Sequence, residues 1–168
     1  MKDKFILDMT CGGRTIWFQK NHPSCLYIDN RVEHKGFIKE RPNFEVKPDM
    51  FMDFTQLGFK DNTFKLVCWD PPHLIRIGKT SWMYKKYSKL EHGFEETIRK
   101  GFKEAFRVLE DYGVLIFKWN ERDVPLSKIL SLSEIKPLFG HTTGSKSLTH
   151  WITFMKIPSQ SAILEGGS

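Results

Sequence analysis

The residues with the clearest capacity for chemistry stand in "FKLVCWDPPHL", residues 64–74, where an apolar run ends in Asp70-Pro71-Pro72-His73. Proline cannot donate to a sheet ladder and pushes the residue before it toward extended geometry. The run Phe64 to Trp69 therefore reads as a buried strand that stops at Asp70. An exocyclic amine on a nucleobase is a poor nucleophile, because its lone pair is delocalised into the ring. Two acceptors that take both of its N–H groups favour a more tetrahedral nitrogen and aim the lone pair outward. The Asp70 carboxylate and the Pro71 carbonyl make such a pair, Pro72 keeps it stiff, and His73 offers a flat ring for stacking on a base. The plainer reading of the same four residues is a turn that ends a strand.

A second group lies in "ILDMTCGGRT", "CLYIDNR" and "FMDFTQL". Asp8 closes a first short strand, Gly12 and Gly13 follow where a backbone must pass close to a ligand, and Asp29 closes a second strand. An acid about 20 residues beyond a glycine turn, at the end of the second strand, suits the two hydroxyls of a ribose. Asp53 stands just past a third strand. The expected nucleotide-type site comprises Asp8, Thr10, Cys11, Gly12, Gly13, Asp29, Asn30, Asp53, Phe54 and Asp70. The turn lacks the third glycine of G-x-G-x-x-G, so a ligand without a pyrophosphate fits better than a dinucleotide. Here the plainer reading is a tight turn flanked by solvated acids.

These residues need a scaffold that brings strand ends together. Strands are expected at Phe5–Leu7, Cys25–Asp29, around Phe44–Phe51, at Phe64–Trp69 and in "GVLIFKW". "TIWFQK" suggests about two helical turns. Phe94, Ile98, Phe102, Ala105, Phe106 and Leu109 recur at three and four residues, one face of an amphipathic helix. A short helix is expected over Leu126 to Leu132, and "KPLFGHTTGSKSLTHWITFMKI" reads as a terminal hairpin around a Gly/Thr/Ser loop. Strands alternating with helical segments predict a single α/β domain, a Rossmann-like doubly wound sheet, mainly parallel, with a C-terminal antiparallel hairpin. The domain is expected to span residues 1–158. The tail 159–168, with its "LEGGS", resembles an expression-vector scar.

The chain has 168 residues, 40% of them hydrophobic, and a formal net charge of +6. Such a chain can bury a core, and its charge favours an anionic partner, nucleic acid included. No run approaches the length of a membrane helix, so no membrane partner is expected. Cys11, Cys25 and Cys68 form no close pair, which suggests reduced thiols in the cytoplasm. The histidines show no metal-ligand spacing, and no metal is expected.

On these motifs the sequence resembles class I S-adenosylmethionine-dependent methyltransferases. "ILDMTCGG" is similar to their cofactor motif, Asp29 to the ribose acid, Asp53 to the acid near the adenine, and "DPPH" to the amino-methyltransferase motif D/N-P-P-aromatic. The resemblance is closer to small phage- and prophage-encoded methyltransferases, carried by "TCGGRTIWF", "DPPHL", "SWMYKKY" and "GVLIFKWNE", and it covers residues 5 to 157. It implies the fold, S-adenosyl-L-methionine as cofactor, and methyl transfer. Two departures stand out: Thr10-Cys11-Gly12-Gly13 replaces G-x-G, and histidine replaces the usual Tyr, Phe or Trp after the prolines.

The substrate is expected to be nucleic acid, DNA ahead of RNA, methylated on adenine N6 or cytosine N4. "RIGKTSWMYKKYSK" mixes Arg76, Lys79, Lys85, Lys86 and Lys89 with Trp82, Tyr84 and Tyr87, cations for phosphates and rings for bases. Lys118 and Asn120 end the fifth strand near the same mouth, and Lys146 lies in the hairpin loop. A solvated loop covering the core is the plainer reading of that stretch. No segment is long enough to be a recognition domain, so either selectivity is low, or a homodimer or a specificity partner supplies it, or the substrate is not duplex DNA. Two other readings stay open. One is methylation of a small molecule or a protein amide; the other is a non-catalytic nucleic-acid- or partner-binding subunit with a relic cofactor site.

Overall fold

Alternation of apolar residues decides which face of the sheet is core. In the computed structural model, which describes residues 3–142 and 147–158, seven strands form one sheet. They are β1 (Ile6–Asp8), β2 (Cys25–Asp29), β3 (Met50–Phe51), β4 (Phe64–Trp69), β5 (Leu109–Asn120), β6 (Phe139–Thr142) and β7 (Thr149–Met155), in the spatial order β3-β2-β1-β4-β5-β7-β6. The first five run parallel; β7 lies antiparallel between β5 and β6. Three helices accompany them: α1 (Trp82–Tyr87), α2 (Phe94–Val108) and α3 (Leu126–Leu130). This is the expected α/β Rossmann-like sheet with its antiparallel C-terminal pair. Lys146 and the tail 159–168 lie outside the described residues.

Every second residue of the strands enters one core. Leu7, Leu26, Ile28, Val67, Trp69, Leu115, Phe117, Ile152 and Phe154 meet Ile98, Phe102, Ala105 and Phe106 of α2 and Ile129 of α3. The period of 2 in the strands and 3.6 in α2 thus point to the same interface. Gly101 lets α2 come down onto Trp69: a Cβ there would overlap the indole. Arg107, near the end of α2, binds Glu104, Asp61 and the carbonyls of Leu57 and Phe59, and so fastens the loop after Asp53.

The other face is covered differently. Among the described residues no helix joins β1 to β2, β2 to β3 or β3 to β4. The two helical turns expected at 15–20 are absent. Gly12 (φ 47°) and Arg14 (φ 53°) both take left-handed backbone, which cannot enter a right-handed helix. The segment is pinned open instead. Arg14 donates to Asp49 and to the carbonyls of Lys20 and Lys47, and the Trp17 ring packs edge-on against Tyr27 at 5.3 Å. Trp17 and Ile6 close a small second cluster over Cys11, Cys25 and Tyr27.

Three further differences are local. α1 forms in a stretch with little periodicity, because the Ser81 hydroxyl caps it by accepting from the Met83 N–H at 3.2 Å. β5 begins at Leu109, directly after α2; the expected turn at "DYG" is an irregularity inside the strand, where Tyr112 has φ 63° and the register to β4 shifts. α3 stops two residues short of the expected Leu132.

Candidate functional site

Parallel strands deliver their carboxyl ends to one edge, and acids cluster there. Asp8 pairs in register with Tyr27 of β2 and Cys68 of β4, so the ends of β1, β2 and β4 lie side by side. Asp29 ends β2, and Asp70 follows Trp69. At this edge is a cavity of about 300 Å³. All ten residues expected at a nucleotide-type site line it: Asp8, Thr10, Cys11, Gly12, Gly13, Asp29, Asn30, Asp53, Phe54 and Asp70. Pro71 and Pro72 line it too. A pocket at the carboxyl ends of strands, where the order reverses between β1 and β4, is where open α/β sheets bind ligands.

The hydrogen bonds show how the edge is built. Asp29 is buried; one carboxylate oxygen accepts from the Gly12 N–H at 2.9 Å, and the other from the Arg31 backbone N–H at 3.0 Å and its Nε at 3.3 Å. The glycine turn is thereby tied to the end of β2. Asp8 is 1% exposed and accepts from Trp17 Nε1 at 2.7 Å and from the Thr10 N–H at 3.3 Å. Burial pushes its pKa up to about 7; the Trp17 and Thr10 bonds oppose the shift, and the nearby charges of Asp70 and Asp29 add to it. The Asp70 N–H donates to Thr10 Oγ1 at 3.1 Å, which joins the β4 end to the β1 turn. Lys118 Nζ donates to Asp70 Oδ2 at 2.6 Å, while Oδ1 has no bond among the described residues.

The segment between β4 and α2 arches over the cavity as a strap. Asp123 accepts from the N–H groups of Ile75 and Arg76, Leu90 N–H bonds the Leu74 carbonyl, and Arg31 Nη1 reaches the carbonyls of Lys85 and Lys86 at 3.3 and 3.4 Å. Lys86, Tyr87, Ser88, Lys89, Leu90 and Glu91 form the roof.

Of the residues expected to meet a substrate, Lys86, Tyr87 and Lys89 line the cavity. Arg76, Lys79 and Lys85 lie exposed on the outside of the strap; Tyr84 is half-buried, and Trp82 lies under the Arg41 guanidinium, 4.5 Å from the ring centroid. Lys118 points at Asp70, and Asn120 donates to Thr149 Oγ1. His73 is not in the lining either. Its ring sits between Tyr87 and Trp119, at 5.9 and 6.1 Å, and burial lowers its pKa. Sequence reasoning missed Arg31, Phe44 and Phe94. Arg31 had a signal, two residues past the strand-ending acid; Phe44, which fills the space beside Gly13, had none.

Cys11, Cys25 and Cys68 are free and buried, and burial raises all three thiols. Among the described residues no group of three or more His, Cys, Asp or Glu is placed to hold a metal, and no helix is long and apolar enough to cross a membrane.

The strand order and the acid-lined edge define an α/β fold, and comparison with solved structures places that fold among methyltransferases. The N-methyltransferase NodS of Bradyrhizobium japonicum superposes with a TM-score of 0.55 at 13% identity, covering 92% of this chain and 86% of its own. A SAM-dependent methyltransferase from Methanosarcina mazei gives 0.56 at 13% identity, covering 95% of both chains. The PH0226 protein of Pyrococcus horikoshii gives 0.58 at 15% identity, over 93% of this chain and 84% of that one. No family model and no curated protein sequence matches this chain. What it shares with these structures is the class I methyltransferase fold.

Proposed function

We propose that the protein is an S-adenosylmethionine-dependent methyltransferase that methylates an exocyclic amine, adenine N6 or cytosine N4, in nucleic acid. The observation that carries this reading is a juxtaposition: Asp70 and its two prolines stand at the mouth of the same cavity that gathers Asp8, the glycine turn, Asp29 and Asp53. On its motifs the chain resembles small phage- and prophage-encoded amino-methyltransferases, which supports this reading.

When bound, S-adenosylmethionine supplies a methyl group activated by its sulfonium. Asp29 and Asn30 suit its ribose, Asp53 and Phe54 its adenine, and the turn from Asp8 to Gly13 its amino-acid end. Lys118 holds one oxygen of Asp70 and so orients the carboxylate. The free Oδ1 and the Pro71 carbonyl are then the two acceptors that take the amine hydrogens and aim its lone pair. The exposed cations Arg76, Lys79 and Lys85 suit phosphates of an unpaired or flipped strand. Because His73 is wedged between two rings, Tyr87, which lines the cavity, is better placed to stack on a base. The free, buried thiols suit the cytoplasm.

The test is transfer from methyl-labelled S-adenosylmethionine to single-stranded DNA, duplex DNA, RNA and free nucleosides, followed by nucleoside analysis. The proposal expects N6-methyladenine or N4-methylcytosine, with activity on polymers falling steeply with salt. Label confined to nucleosides or small amines, insensitive to salt, would refute the nucleic-acid substrate.

A further inference from the structure

The cavity is not uniformly acidic. Its floor carries Asp8, Asp29, Asp53 and Asp70, but its roof carries two ammonium groups: Lys89, paired with Glu91 at 3.4 Å, and Lys86, which is 9% exposed. Lys86 Nζ donates to Tyr87 Oη at 2.6 Å and lies 4.4 Å from the Tyr87 ring centroid and 5.8 Å from that of Phe44. It belongs to no ion pair within 4.0 Å among the described residues. A lysine this buried is ordinarily paired, because an ammonium taken from water without a counter-charge is costly. Its position is also held: Arg31, itself bound to Asp29, grips the carbonyls of Lys85 and Lys86, and Ser81 caps the helix that carries them. Phe44 links this ammonium to the glycine turn, since the ring that Lys86 faces lies against Gly13.

We infer that Lys86 is the anion-recognition residue of the cofactor site, pairing with the carboxylate at the amino-acid end of S-adenosylmethionine. The inference rests on the cofactor reading above and gives the roof strap, grouped by sequence with substrate contacts, a part in choosing the cofactor. A ligand that satisfies this cavity must be zwitterionic, with positive charge toward the acids and a carboxylate toward the roof. Decarboxylated S-adenosylmethionine keeps the sulfonium and the amine but lacks the carboxylate, so the site should discriminate against it.

The experiment is calorimetric titration of wild type, Lys86→Met and Lys86→Arg with S-adenosylmethionine and its decarboxylated form. Wild type should prefer the carboxylated ligand by roughly ten- to a hundredfold, as a charge-assisted bond in a buried setting implies. Lys86→Met should bind both forms alike, and Lys86→Arg should restore a preference. Methionine is close in length and apolar against two rings, so its melting temperature should match wild type and separate lost recognition from lost fold. Equal wild-type binding of the two ligands would overturn the inference and leave the cofactor reading standing. So would a preference that survives in Lys86→Met, with its effect moved to the substrate, which would assign the ammonium to a phosphate. Binding of neither ligand by wild type would overturn the cofactor reading itself.

Discussion

Asp8 makes the account measurable without knowledge of the substrate. Burial, with two other acids nearby, pushes its carboxyl up to about 7 in the folded protein, well above the usual carboxylate range of about 4. The folded state therefore holds this proton when the unfolded chain has already lost it. Between those two pH values each unit of pH removes about 1.4 kcal/mol from the stability of the fold, and above pH 7 the loss is complete. From pH 5 to pH 8 the contribution is on the order of 2.5 kcal/mol, lost as pH rises. Asp8→Asn keeps an oxygen to accept from Trp17 but cannot titrate. Urea unfolding of wild type and Asp8→Asn at pH 5 and pH 8 isolates the effect, since other groups titrate alike in both. The variant should gain about 2 kcal/mol on wild type at the higher pH. Parallel stabilities at both pH values would refute the buried-acid reasoning. Ligand binding carries the same signature with opposite sign. A sulfonium ligand favours ionised Asp8, so wild type should bind S-adenosylmethionine about tenfold more tightly at pH 8 than at pH 6, and the variant should not.

Asp70→Ala should lower methyl transfer by at least roughly a hundredfold while leaving cofactor binding nearly intact, measured by single-turnover kinetics beside calorimetry; equal loss of both would contradict the role given to this carboxylate. Gly101→Ala forces a methyl into Trp69 and onto Phe54, and thermal melts should show about 1–3 kcal/mol of destabilisation, as overpacked cores do. Arg107→Met removes the fork that joins α2 to the carbonyls of Leu57 and Phe59. It should cost about 1.5–3 kcal/mol by urea unfolding.

The sheet was legible because its signal is local and periodic. Phe64–Trp69, Cys25–Asp29 and the amphipathic face from Phe94 carry their own spacing, and the prolines and acids mark where strands end. The ten residues expected around a nucleotide-type ligand were legible for the same reason: each stands within a few residues of a strand end, and parallel strands bring their ends to one edge. What could not be read was tertiary. The segment 15–20 has helical composition, but Arg14 and Trp17 find partners at Asp49 and Asp8 that hold it open. Phe44 reaches the site only because Gly13 leaves room for its ring. The strap's basic residues look alike in sequence. Folding sorts them, turning Lys86 inward and leaving Arg76, Lys79 and Lys85 in solvent.

The central claim is that the acid-lined edge of the sheet holds S-adenosylmethionine, and the most direct test is titration of that ligand, and of S-adenosylhomocysteine, into wild type and Asp29→Ala. The account predicts micromolar binding by wild type, reduced at least about tenfold when the ribose acid is removed. Absence of binding to wild type at millimolar ligand, or binding that Asp29→Ala leaves unchanged, would contradict it.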